Sequence, residues 1–385
     1  MIKLTKAIGE IRIMQNTQRN IPLDILRISC MCMIITLHMF SYSDINEYIP
    51  SYSSLFWTKS IITSISEVCV NCFVLISGYF AFKTKFKISK LFAIMREVFT
   101  YSIGIYIVLI SLGIVDLDAK NLFFSLLPSL TRQYWFMTTY IGLYILSPFI
   151  KIIAERLNKR EFLASLIVGF LLFVVYYNFF FFCDNLNFGG GAGILWFVYV
   201  YMCGIYLNKY AKKKDNKQNV KCFLIVFTFN IGSRIPFYIL NIITGKEIFF
   251  IGASIFGSVY NSIFVFIQSL LFFKIFADIN IKLPLKFEKI IIFLSGTSLA
   301  TYLIHDNNFF RNILWGKIDF SKISNSIELI SIWILIVFMI YILSSIIDVV
   351  RQNIDKKIWK KENAKKLDIA FEKKINLIMD KFEKL

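Results

Sequence analysis

The sequence predicts an all-α, polytopic transmembrane helical bundle, and three observations carry that expectation. The 385-residue chain is 57% hydrophobic, with 41 Phe, 19 Tyr and a mean hydropathy of +0.64, more apolar material than one soluble core can bury. Apolar runs long enough to cross ~30 Å of hydrocarbon recur along its length. Lys and Arg gather in the short segments between those runs. The net charge of +18 therefore sets membrane orientation and does not point to nucleic acid.

The runs fall at residues 21–41, 58–82, 96–115, 133–152, 161–183, 194–210, 221–243, 249–276, 289–305 and 327–349, which makes about ten spans. Lys83, Lys85, Lys87, Lys90 and Arg96 follow the second run, and Lys151, Arg156, Lys159 and Arg160 the fourth. Lys209, Lys212, Lys213, Lys214, Lys217 and Lys221 follow the sixth, and Lys274, Lys282, Lys286 and Lys289 the eighth. These linkers are expected inside, and the cation-poor loops 41–57 and 183–193 outside. An even count then puts both termini in the cytoplasm. The organisation expected is a cytoplasmic segment at 1–20, a membrane domain at 21–350 and a tail at 351–385. No small-residue cleavage site follows the first run, so it is read as a retained span and not a signal peptide. The tail repeats Lys pairs beside Ile, Leu and Phe, the pattern of a basic amphipathic helix lying on anionic lipid. A partner-binding tail is the lesser alternative.

The first run is the most informative. It carries Asp24, Arg27 and His38 in a segment otherwise fit for lipid, where a charge costs at least ~2.5 kcal/mol and marks a functional path by default. Eleven residues are three turns plus roughly 20°, so Arg27 and His38 share a face, roughly 16 Å apart along the axis. Histidine takes and returns a proton near neutral pH and suits a base, while the planar fork of Arg27 suits phosphate or carboxylate. The plainer roles are an interhelical hydrogen bond for His38 and pairing with Asp24 or lipid headgroups for Arg27. For His305, the other histidine, the interhelical bond is the better reading.

Other polar residues in the runs offer weaker candidates. Glu67 and Asn71, four apart, share a helical face, so the amide is in reach of the carboxylate; a structural bridge between helices is an equal alternative. Ser77 precedes Gly78 and allows a close helix approach or a break in the span. Arg132, Gln133, Tyr134 and Trp135 open the fourth run, where an aromatic belt is the ordinary explanation. The glycines before the sixth run fit a flexible turn, or a backbone that approaches a ligand. The seven Cys lack metal-ligand spacing and read as small hydrophobes.

Taken together, LDILR with His38 beyond it, VNCFVLISGYF in the second run, QYWFMTTYIGLYILSP in the fourth, LWFVYVYMCGIYL in the sixth and SLATYLIHDNNFF in the ninth resemble the integral-membrane acyltransferase family 3. These are bacterial O-acyltransferases of surface polysaccharides, peptidoglycan and some small molecules. The resemblance covers nearly the whole membrane portion, and the Arg27-to-His38 spacing is its most specific piece. It implies about ten spans in the bacterial cytoplasmic membrane, acetyl-coenzyme A or another acyl-coenzyme A as donor substrate with no bound cofactor or metal, and a glycan or lipid-linked sugar as extracytoplasmic acceptor. The arginine and histidine matching Arg27 and His38 are essential in the family. Arg27 would align the donor, and His38 would act as general base or transient acyl carrier. Asp24, Glu67, Asn71, Ser77, Arg132, Trp135, Tyr302 and His305 are weaker donor- or acceptor-binding carry-overs. Unlike some members, the chain carries no fused extracellular hydrolase-like domain, so it would act alone or hand the acyl group to a separate acceptor or polysaccharide-assembly protein. Two other readings stand beside this one: an exporter of a polysaccharide precursor, and a membrane scaffold docked by its tail. Succinyl transfer is an alternative to acetyl transfer.

Overall fold

A computed structural model describes residues 19–131, 133–180, 189–359 and 361–382. Among these residues the chain is helical and contains no strand. The main helices are α1 Ile21–Tyr42, α2 Ser54–Ser66, α3 Cys69–Tyr79, α4 Ile88–Ser111, α5 Ala119–Leu126, α6 Trp135–Arg156, α7 Lys159–Phe170 (continued through a π-helical stretch Leu171–Tyr176 to Tyr177–Phe179), α8 Ile194–Tyr210, α9 Asn216–Thr244, α10 Glu247–Gly257, α11 Ile263–Asp278, α12 Leu285–Gly296, α13 Ser298–His305, α14 Asn308–Gly316, α15 Ser326–Ile358 and α16 Lys361–Phe382.

Seven helical stretches are long and apolar enough to cross a membrane, and eight if the bent pair α12 and α13 counts as one. The difference from the ten expected runs has a local cause. The run at 194–210 forms a helix of 17 residues, just short of a full crossing. The run at 249–276 breaks at 258–262 into α10 and α11, of 11 and 16 residues. Much of the polar segment 1–20 lies outside the described residues.

Helix α1 occupies the centre of the bundle and packs against α2, α3, α11, α12, α13 and α15. Asn20 caps it, accepting from the Leu23 amide at 3.2 Å, and Pro22 in the first turn needs no intrahelical donor. The lipid side of the bundle is apolar: Val108, Phe149, Ile167, Phe229 and Phe338 are all more than half exposed, as side chains facing hydrocarbon should be.

Two glycines bring α3 and α8 into backbone contact. A Cβ on Gly78 would come within 2.1 Å of the Tyr201 carbonyl oxygen, and one on Gly204 within 2.5 Å of that of Leu75. Without a hydrophobic drive between helices in lipid, such close approach supplies much of the packing. Ser77-Gly78 thus marks a tight crossing.

Breaks in the helices occur where hydroxyls and amides can satisfy the freed backbone. Between α12 and α13 the chain bends by 41°. There Thr297 Oγ1 meets Ser345 Oγ at 2.8 Å, Ser298 Oγ meets the Tyr341 hydroxyl at 3.0 Å, and that hydroxyl donates to the Leu294 carbonyl at 2.9 Å. The break between α10 and α11 is held by two asparagines: Asn178 Nδ2 donates to the Asn261 carbonyl at 3.0 Å, and Asn261 Nδ2 to the Phe173 carbonyl at 3.0 Å.

Candidate active site

Arg27 and His38 open onto two different cavities along α1. The His38 cavity, about 330 Å³, is walled by Ile34, Leu37, Tyr42, Glu67, Trp135, Phe136, Tyr260 and Tyr302, with Gly189 and Gly190 at one edge. The Arg27 cavity is larger, about 1400 Å³, and is lined by Arg19, Lys83, Lys85, Lys90, Lys151 and Lys213, with Ser77, Tyr140 and Tyr144. Its carboxylates are Asp24, Glu155 and Glu288, so cations predominate. Phe136 of one cavity stacks on Tyr140 of the other, with ring centroids 5.7 Å apart, and α6 therefore forms part of the wall between them.

The position of Arg27 is fixed from its own helix. Its Nη1 donates to Asp24 Oδ1 at 2.5 Å, and the same oxygen accepts from Ser295 Oγ at 3.1 Å. Asp24 is buried whereas the Arg27 side chain is one-third exposed, so the carboxylate holds the guanidinium while its remaining donors stay free for an anion. Arg19 approaches the same carboxylate at 3.8 Å.

At the other end, His38 Nδ1 lies 3.0 Å from His305 Nε2, and His305 Nδ1 lies 2.5 Å from the Thr301 carbonyl oxygen. The carbonyl can only accept, so Nδ1 of His305 carries a proton. In neutral His305 Nε2 is then the acceptor, and the proton of the shared contact sits on His38 Nδ1. His38 Nε2 is left as a bare lone pair on a side chain that lines the cavity. Both rings are held in place by surrounding structure: α13 carries Thr301 and His305 one helical turn apart, and Tyr302 packs near both rings.

Two residues not singled out by the sequence complete this end. Asp306 Oδ1 stands 3.7 Å from His38 Nδ1 and accepts from Arg311 Nη1 at 3.2 Å, and the Arg311 guanidinium lies 4.1 Å from the centroid of Tyr42. The signal was present as an acid and a base flanking the DNNFFR turn after His305, but only the end of α13 shows that they converge on His38. Tyr260, also unanticipated, stacks on Trp135 at 5.8 Å and 20°.

The remaining candidates divide. Glu67 sits at the junction of α2 and α3 and lines the His38 cavity. No hydrogen bond to its carboxyl group forms among the described residues, and the buried Arg234 is bonded to Asn230 and the Gly257 carbonyl. Asn71 does not reach it. Because the helix breaks between them, the Asn71 side chain turns to the α8 and α11 side, donating to the Tyr260 carbonyl at 2.8 Å and to Ser269 Oγ at 3.2 Å, and accepting from Trp196 Nε1 at 2.9 Å. That is a structural bridge. Trp135 and Tyr302 line the His38 cavity, Ser77 the Arg27 cavity, where its Oγ is 3.2 Å from the Tyr140 hydroxyl. Arg132 lies outside the described residues. Among the described residues no three His, Cys, Asp or Glu side chains group in a way that would hold a metal ion.

A family model described as an acyltransferase domain matches residues 20–349. The chain belongs to acyltransferase family 3. The match begins at Asn20, the cap of α1, and ends within α15, so the His38 cavity of this multi-pass membrane acyltransferase lies wholly inside it, and the Arg27 cavity does so except for Arg19. No curated protein and no solved structure matches the acyltransferase.

Proposed function

We propose that the protein moves an acetyl or other short acyl group from cytoplasmic acyl-coenzyme A to a hydroxyl of an extracytoplasmic glycan or lipid-linked sugar, in the bacterial cytoplasmic membrane with both termini inside. The observation that carries this reading is the His38–His305–Thr301 chain, which leaves one imidazole nitrogen able to accept a proton inside a cavity, beyond a second cavity rich in cations.

In the proposed reaction the acceptor hydroxyl gives its proton to His38 Nε2 as its oxygen attacks the thioester carbonyl. The tetrahedral intermediate collapses with cleavage of the C–S bond, and the proton on Nε2 passes to the departing thiolate. His38 is an imidazolium only in between, beside the Asp306–Arg311 ion pair, whose carboxylate stands 3.7 Å from Nδ1. Arg27 and the lysines of its cavity would hold the phosphates of coenzyme A, with Asp24 keeping the fork in one orientation. A pantetheine arm has about the length that separates Arg27 from His38, roughly 16 Å at 1.5 Å per residue. Glu67 and the aromatic walls of the His38 cavity would receive the sugar, the carboxylate accepting from its hydroxyls. Separate acyl-accepting or polysaccharide-assembly proteins would take over the product.

The test uses purified protein in vesicles with radiolabelled acetyl-coenzyme A, comparing wild type with His38→Ala and Arg27→Ala. Label released or transferred by wild type and lost in both folded variants supports the reading. Wild type that neither binds nor consumes acyl-coenzyme A with any acceptor mixture rejects it.

A further inference from the structure

The C-terminal helix α16 is joined to the rest of the molecule at a specific point. It packs along α4, whose N-terminus lacks a cap of its own: Lys87, the residue before the helix, makes no side-chain cap. The cap comes instead from 279 residues further on. The Ser89 amide donates to Asp368 Oδ1 at 2.8 Å, and the Ser89 hydroxyl donates to Asp368 Oδ2 at 2.8 Å. Both carboxylate oxygens are thus used on one residue, at the helix end where a negative charge is favoured. One turn beyond Asp368, Phe371 packs on Phe86 with centroids 6.3 Å apart.

The segment so held is a wall of the Arg27 cavity. Phe86 stacks on Tyr144 at 5.1 Å, the Tyr144 hydroxyl accepts from the Lys87 amide at 3.2 Å and donates to the Lys87 carbonyl at 3.1 Å, and Lys90 Nζ stands 5.5 Å from the Tyr144 ring. Phe86, Lys90 and Tyr144 all line the cavity, as does Lys85. No carboxylate lies within ion-pair distance of Lys85 or Lys90 among the described residues, in contrast to Lys151 with its Glu155 partner. A pair of cations presented on a short linker between α3 and α4 is useful to an anionic ligand only if the linker is fixed, since ordering it on binding would cost affinity.

We infer that α16 is a working part of the donor site: Asp368 is a positioning residue that fixes the 83–90 segment, so that its lysines meet the phosphate end of coenzyme A already in place. This rests on the proposed reading of the Arg27 cavity. The basic tail is then more than a membrane attachment. It holds the segment that walls the donor cavity through Asp368 and Phe371, while Ile369 stays more than half exposed on a different face of the helix.

The experiment measures binding of coenzyme A to the purified full-length protein, and the KM and kcat for acetyl-coenzyme A, in wild type, Asp368→Ala, Asp368→Asn and Phe371→Ala, with thermal unfolding of each. Losing a cap of this kind is expected to weaken coenzyme A binding and raise KM roughly five-fold, with much less change in kcat. Asp368→Asn, which keeps one acceptor oxygen, recovers part of the loss, and Phe371→Ala shifts KM in the same direction. Unchanged binding and KM in Asp368→Ala beside a wild type that binds coenzyme A overturns this inference alone, as does a parallel loss of kcat, KM and melting temperature that Asp368→Asn does not relieve. A wild type that does not bind coenzyme A overturns the donor reading, and this inference with it.

Discussion

His38 and His305 share a single proton contact of 3.0 Å, and a third group, the Thr301 carbonyl at 2.5 Å from the far nitrogen of His305, decides which ring owns the proton. His305 therefore sets the tautomer of His38, as an orienting carboxylate does for a catalytic histidine in base-assisted transfers. It differs in being neutral. An imidazole partner gives orientation with little charge, and the nearest carboxylate, Asp306, is already ion-paired with Arg311.

His305→Ala is expected to lower kcat roughly ten- to a hundred-fold and leave the KM for the donor near the wild-type value, because it frees the tautomer of His38 without removing the base. On the proposed reading His38→Ala removes the base itself and should cost on the order of 10²–10⁴ in kcat. Steady-state turnover with labelled acetyl-coenzyme A checks both. A His305→Ala loss as large as that of His38→Ala would point to His305 as a participant in the proton transfer.

Arg27→Lys keeps the charge and loses the fork. The ammonium reaches one oxygen where the guanidinium can offer paired donors, with Asp24 already occupying Nη1. The expected result is a rise of about ten-fold in the KM for acyl-coenzyme A, equivalent to ~1.4 kcal/mol, with a smaller change in kcat. Coenzyme A binding by calorimetry should move by the same factor.

Arg27 and His38 were the part of the candidate site legible in the sequence, because both lie on one unbroken helix where spacing alone fixes the face. What spacing could not reach was everything that depends on a break. Glu67 and Asn71 satisfy the four-residue rule only in a continuous helix. The junction of α2 and α3 falls at Glu67 and Val68, and it sends one side chain to the cavity and the other to Tyr260 and Trp196. Likewise the apolar run at 249–276 reads as one span by hydropathy, yet Ser258 to Ser262 end α10, and three of those residues, Ser258, Val259 and Tyr260, line the cavity. Asp306 and Arg311 escaped notice for a related reason: their role depends on where the bent α12 and α13 pair delivers its end.

Glu67 and Asn71 should separate in experiment as they do in space. Asn71→Ala leaves the Trp196 indole N–H and the Tyr260 carbonyl without their partner in the interior, a loss of about 1–3 kcal/mol, seen as a lower melting temperature in detergent. Glu67→Gln keeps the shape and replaces a carboxyl oxygen with an amide, so it should melt close to wild type while raising the KM for the acceptor. The two readouts reversed would place the carboxylate in the scaffold and the amide in the site.

The crossing of α3 and α8 makes the sharpest prediction about folding. Gly78 and Gly204 face each other's helix at distances where no side-chain atom fits, and the obstructing atoms are backbone, namely the Tyr201 and Leu75 carbonyl oxygens. Backbone cannot swing aside as a flexible side chain can, so Gly78→Ala has to separate two helices that form walls of both cavities. Cys69 and Val70 of α3 line one cavity, Ile76 and Ser77 of α3 and Tyr201 of α8 the other. Overpacking of this kind costs typically about 1–3 kcal/mol, and the backbone clash puts Gly78→Ala at the upper end. Its yield and melting temperature should therefore fall together with turnover. Gly104→Ala is the control: a Cβ there meets nothing within 4 Å, and it lies inside the apolar helix α4, so it should leave yield and stability within ~0.5 kcal/mol of wild type. Equal behaviour of the two variants would mean that α3 and α8 do not pack backbone to backbone in the membrane.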